Sequence, residues 1–180
     1  MQNEQVAELL FQALETEKGG IQIYETALKC VVNDELRKEW EEYLEQARNH
    51  EQIVLEVMEK LGLDPETETP GREVVRHIGE SLVEAMDMAL ENAQERDAAQ
   101  VVACECVVLA ETKDHLNWQL IHEVVEKATG EQRDALKAAY KQVEDRKTST
   151  STTRPAGAES CGSSHWACPP CCRRLKRRRK

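Results

Sequence analysis

The chain contains no run of about 18 apolar residues, so nothing in it reads as a membrane-spanning helix. Aromatic residues fill only 4% of its 180 positions, and 8 Gly and 5 Pro are too few for the many turns of an all-β sandwich. The opening MQNEQVAELL has no basic segment ahead of an apolar one and no small-residue cleavage site. It is therefore not a secretory signal, and a cytoplasmic protein is expected. What is present is Leu, Val, Ala and Ile set among Glu, Lys and Gln, the composition of a helical protein. An all-α fold with one core, followed by a tail, fits this length.

The formal charge of −10 conceals two opposite parts. Residues 1–145 carry 33 Asp and Glu against 14 Lys and Arg, whereas residues 146–180 carry 1 Glu against 10 Lys and Arg. An acidic body attracts cations and repels nucleic acid. Cysteine divides in the same way: Cys30, Cys104 and Cys106 stand among apolar helical residues and read as reduced, buried thiols, while Cys161, Cys168, Cys171 and Cys172 crowd the tail.

Apolar spacings of three and four predict five helices. The first runs from about Asn3 to Val31, with Val6, Leu10, Ala13, Glu17, Gly20, Tyr24, Ala27 and Val31 on one seam. Asn33-Asp34 is a short turn, so the second helix, ending near Leu61, lies antiparallel to the first. Its seam is Leu36, Trp40, Tyr43, Ala47, His50, Val54, Val57 and Leu61. Gly62 and Pro65 stop it. The third helix runs from about Arg72 to Ala93 with Val75, Ile78, Leu82, Met86 and Ala89 inward. The fourth runs from about Asp97 to Ala128 with a seam of Val101, Cys104, Val108, Glu111, His115, Trp118, His122 and Val125. A shorter fifth, Glu131 to Asp145, carries Leu136, Ala139, Tyr140 and Val143.

Glu17, His50, Glu111 and His115 are polar residues on these apolar seams. A lone buried carboxylate costs several kcal/mol, on the order of 3–5, so such groups must be paired, protonated or bound to a cation. A metal ion would satisfy all four at once. Taken singly, each also fits a core histidine with a hydrogen-bond partner or a carboxylate reaching back to water. The segments L-E-Q-A-R-N-H (Leu44 to His50) and L-A-E-T-K-D-H (Leu109 to His115) echo one another, as a tandem pair of helical hairpins would.

The stretch L-E-T-E-K-G-G-I-Q-I-Y (Leu14 to Tyr24), the R-N-H of the second helix and the E-T-K-D-H-L-N-W of the fourth resemble the ferritin-like superfamily over residues 1–145. That resemblance implies a ferritin-like four-helix bundle holding a dinuclear iron or manganese centre, with a Glu from each of two helices and a Glu-x-x-His from each of the others. It makes Glu17 a ligand with Tyr24 as the nearby aromatic, His50 the imidazole of the second helix, and Glu111 the carboxylate of the second hairpin. It also makes the third helix a crossover and the fifth the fourth ligand helix. Gly19 and Gly20 would let another backbone approach. The chain departs from the pattern where Ala47 precedes His50 by three and Thr112 precedes His115 by three, so neither Glu-x-x-His is intact. His115, one turn after Glu111, is a ligand, a supporting partner or a packed polar residue.

Residues 146–180 are expected to be a disordered basic tail. Cys161, His165, Cys168, Cys171 and Cys172, followed by R-R-L-K-R-R-R-K, make a candidate zinc knuckle with a nucleic-acid-binding end. They are also what random codons yield. Read one register away from Arg146 onward, with synonymous choices, the codons give E-D-E-H-L-Y-H-T-T-G-W and then an acidic, apolar-patterned segment with no forced stop. That peptide begins with Glu-x-x-His and marks the tail as a frameshift candidate.

The sequence thus supports metal binding, by iron or manganese, with oxygen or peroxide chemistry where the site is complete. A non-enzymatic helical interaction module and a zinc- or nucleic-acid-binding protein acting through the tail are the alternatives. Metal ions are the expected partners, no membrane is, and homo-oligomerisation is left open.

Overall fold

In a computed structural model, residues 3–92 and 96–150 are described. They form α1 (Asn3–Cys30), α2 (Asp34–Lys60), α3 (Pro70–Asn92), α4 (Arg96–Lys127) and α5 (Gly130–Thr150), with no strand among them. No described helix is long and apolar enough to cross a membrane.

The connections follow from local chemistry. Asn33 caps α2, its Oδ1 accepting from the N–H groups of Glu35 and Leu36 at 3.0 and 2.9 Å. The Arg37 guanidinium donates back to the carbonyls of Leu28 and Val31 and so satisfies the end of α1. Gln100 of α4 accepts from Val32 and Asn33 N–H, each at 2.9 Å, which fastens this turn to the start of α4. At the other end of α2, Gly62 takes φ +66°, and the Leu63 N–H reaches the Met58 carbonyl at 2.9 Å, closing the helix as a Schellman motif. Thr69 caps α3 through its Oγ1, with Pro70 at the first helical position, where a missing N–H costs nothing.

α1 packs against α2, α3 and α4; α3 also touches α4, and α5 lies against α4 and α2. Two apolar clusters result. One gathers Val6, Leu10 and Leu14 of α1 with Val57 and Met58 of α2, Trp118 and Ile121 of α4, and Leu136 and Val143 of α5. The other gathers Ile23 and Ala27 of α1 with Trp40 of α2, Met86 of α3, and Ala103 and Val107 of α4. Between them α1 contributes Glu15, Thr16 and Glu17, all buried, so the middle of the molecule is polar. Gly19 meets Gly79 of α3 here, a Cβ on either lying 3.6–3.8 Å from the other's Cα; Gly20 faces open space.

The seams of α1 and α2 are those the spacing predicts. In α4 the inward face is instead Ala99, Ala103, Cys106, Val107, Asn117, Trp118, Ile121, Val124 and Val125, about one residue out of phase, while Val101 and Leu109 are exposed. One residue is about 100° of helix rotation. α4 is apolar on several sides between Val101 and Leu109, so spacing alone left its phase open. Similarly Ile78 is 52% exposed because Gly79 takes the inward position against α1. Cys30 and Cys106 are buried free thiols, whereas Cys104 is only half-buried. α5 runs to Thr150 rather than stopping at Asp145, which moves the start of the expected tail to residue 151. The zinc-knuckle and disorder expectations then fall on residues 151–180, outside the described residues.

Candidate metal centre

Glu17 of α1, His50 of α2 and Asp114 of α4 meet in the polar middle of the molecule, and each offers a ligand atom within 4.8 Å of the others. Glu17 and His50 are 4% and 5% exposed, and Asp114 is half-buried. His50 Nδ1 stands 3.6 Å from Glu17 Oε1. Trp118 Nε1 donates to that same oxygen at 3.0 Å, and the His50 ring packs edge-on against the Trp118 ring at 5.7 Å. Asp114 Oδ1 is buried with no hydrogen-bond partner. A carboxylate oxygen in that position lacks the satisfaction buried acceptors ordinarily have.

Burial, the charge of Asp114 and the hydrogen bond shared with it push the Glu17 carboxyl well above its ordinary range, with the Glu111 charge adding to them, and the Trp118 N–H offsets only part of this. Two carboxylates this close cannot both be charged in a dry site unless a cation lies between them. Without an ion the Glu17 carboxyl therefore keeps its proton to higher pH than a free carboxyl does. A carboxyl whose folded pKa exceeds its unfolded one stabilises the fold fully below the unfolded value and loses that contribution as pH rises through the folded value. Glu17→Gln, which imitates the protonated form, should accordingly unfold at a higher temperature than the parent at neutral pH in the metal-free protein. The advantage should vanish below the ordinary carboxyl pKa of 4.5. Thermal unfolding across that range checks it, and a pH-independent difference would count against a carboxyl pair.

Of the four residues expected from the sequence, Glu17 and His50 come together. Glu111 lies three residues before Asp114 and accepts the Tyr24 hydroxyl at 2.5 Å. His115 points its Nε2 to Gln119 at 2.9 Å and is not one of the three grouped residues. Asp114 was missed because the fourth seam was read out of phase. On the true seam it stands seven residues after Val107 and seven before Ile121, both buried. Nearby, Asn117 donates to Thr16 Oγ1 at 2.8 Å and accepts from Lys113 Nζ at 2.5 Å, which fixes α4 against α1 beside the site.

Two carboxylates and an imidazole suit hard and borderline divalent cations. Such an ion sits ~2.0–2.2 Å from N and O donors, so its ligand atoms stand at most about 4.4 Å apart. A group already within 4.8 Å needs only a small closure to hold one. No protein-family model, curated protein or solved structure matches the chain.

Proposed function

We propose that the chain is a ferritin-like metal-binding protein that holds iron or manganese through Glu17, His50 and Asp114 and, with a complete ligand set, performs redox chemistry with oxygen or peroxide. The convergence of three ligand-capable side chains from three helices in one buried layer carries this reading. The contacts of α1 with α2 and α4, and of α5 with both of the latter, support a four-helix ring, with α3 as a crossover packed outside it on α1 and α4. Carboxylates and imidazole held out of bulk water can keep a redox-active cation while presenting an open position to a small oxidant. A second ion would draw on Glu111, which its bond to Tyr24 must first release.

Titration of the metal-free protein with Fe(II) or Mn(II) tests the assignment residue by residue. Glu17→Ala and Asp114→Ala should each weaken binding by more than the ~10–100-fold typical of outer-shell losses, while His115→Ala should leave it nearly unchanged. Negligible uptake by the parent, or equal losses for Asp114→Ala and His115→Ala, would remove this ligand set.

A further inference from the structure

The third helix exposes two faces of opposite character. Glu80, Glu84, Asp87 and Glu91 line a groove with Gln22 of α1, and Arg72 and Arg76 reach Glu15 of α1, so the charge of α3 is turned to the side of α1. Val74, Ile78, Ala85 and Met88, with Ser81 among them, recur at spacings of four and three on the other side, toward α4. A matching stripe lies on α4. Leu109 stands two residues before Glu111, and Leu116 and Leu120 stand two residues either side of Trp118; two residues turn a helix by about 200°. Glu111 meets Tyr24 of α1 and Trp118 meets His50 of α2, so these leucines point away from both helices, beside α3. The stripes stand at one height. Gly79 meets Gly19 and Asn117 bonds to Thr16, less than one turn apart on α1, and Ile78 and Leu116 are the neighbours of Gly79 and Asn117. Val74, Ile78 and Met88 of α3 and Leu109, Leu116 and Leu120 of α4 are 42–60% exposed. A single exposed leucine needs no explanation, but a patch of them across two adjoining helices marks an interface.

We propose that this α3–α4 face is a homodimer interface, on which a second copy of the chain packs about a two-fold axis. Charge selects the occupant. Residues 1–145 carry 33 Asp and Glu against 14 Lys and Arg, so two bodies repel one another at most approaches, and an anionic membrane repels them too. A basic partner would find its attraction over the acidic groove beside Gln22, not over leucines. The two stripes have Ser81 and Thr112 as polar members, and carboxylates enter only at the ends of the α4 stripe, at Glu105 and Glu123. Two copies can therefore close here without pressing like charges together, and the apolar surface of each supplies the attraction. At 1.5 Å per residue and about 10 Å per helix, the stripes cover roughly 20 Å by 20 Å. Side-chain relief and the rim bring such a face to roughly 500–600 Å² per partner, the lower end of specific interfaces. A dissociation constant on the order of 1–100 μM follows for so small a contact. Two-fold closure uses the same patch on both copies, so each substitution acts twice.

The test is sedimentation equilibrium of the full chain, reduced and metal-free, from about 5 to 200 μM, at low salt and at about 0.5 M salt. A monomer–dimer equilibrium is expected that survives the higher salt, because apolar burial is not screened. Leu116→Glu and Ile78→Glu should each raise the dissociation constant at least ~10-fold, as losses at the centre of an interface do. Val32→Glu, at an exposed valine just after α1, is the control and should leave it unchanged. Helical circular dichroism equal to the parent shows that each variant is folded, since the replaced side chains lie outside the core. A parent that stays monomeric throughout this range, or dimers equally stable in all three variants, would overturn the proposal. So would a dimer that dissociates at the higher salt, which would assign association to pairing of the basic residues 151–180 with the acidic body.

Discussion

Arg72→Ala should destabilise the protein by about 3–5 kcal/mol, the cost of removing one partner from a buried ion pair. Arg72 is 3% exposed at the start of α3, and its Nε donates to Glu15 Oε2 at 2.7 Å. Its Nη1 donates to the carbonyls of Pro65 and Thr67, at 2.5 and 3.0 Å, so a single side chain holds the α2–α3 loop against α1. Burial alone would raise the Glu15 carboxyl, but hydrogen bonds from Arg76 and Arg72, and their charges, bring it below its ordinary value. Without Arg72, Glu15 keeps only Arg76 and two loop carbonyls lose their donor. At ~2–4 °C per kcal/mol for a chain of this size, the unfolding midpoint should fall by roughly 6–20 °C. A carboxyl whose folded pKa is depressed stabilises above its unfolded pKa and loses that contribution as pH falls through the folded value. The deficit should therefore shrink in acid. Arg48, which meets Glu25 and Glu45 at the surface, is the control and should leave the midpoint unchanged on replacement by Ala. Equal effects for the two arginines would contradict the account of the α1–α3 junction.

The second large effect concerns the chain beyond Asp145. α5 lies against α2 and α4, the helices that carry His50 and Asp114, yet no described residue of α5 belongs to the ligand group. Its backbone is helical through Thr150. With the synonymous codons that allow it, the other reading register after Asp145 would give Glu-Asp-Glu-His, a Glu-x-x-His, in this final turn. A protein made with that register after Asp145 should bind Fe(II) or Mn(II) at least ~10-fold more tightly, because missing ligands weaken a site more than the ~10–100-fold of outer-shell losses. Titration of both proteins at one pH, with the new Glu changed to Ala as control, reads the difference. Equal affinities would show that α5 is not a ligand-bearing wall.

How much could be read from sequence depended on how one-sided each helix is. α1 and α2 have charged outer faces, so the seam carrying Glu17 and the one carrying His50 were unambiguous, and the antiparallel turn followed from Asn33-Asp34. α4 has Val, Cys and Leu around much of its circumference between Val101 and Leu109, and its phase slipped by one residue. That slip placed His115 on the seam and left Asp114 off it. Ile78 was misplaced because spacing weighs side-chain size, whereas close approach of α1 and α3 selected Gly79. The end of α5 was not legible because Lys, Thr and Ser give neither a helix stop nor an apolar period, and the helix continued regardless.

The most direct measurement of the central claim is electron–nuclear double resonance on the Mn(II)-loaded protein. The account predicts bound Mn(II) with coupling to a single imidazole nitrogen. The coupling should disappear in His50→Gln and persist in His115→Gln, since His50 lies with Glu17 and Asp114 while His115 is turned to Gln119. Absence of bound Mn(II), or an imidazole coupling that survives His50→Gln and is lost in His115→Gln, would contradict it.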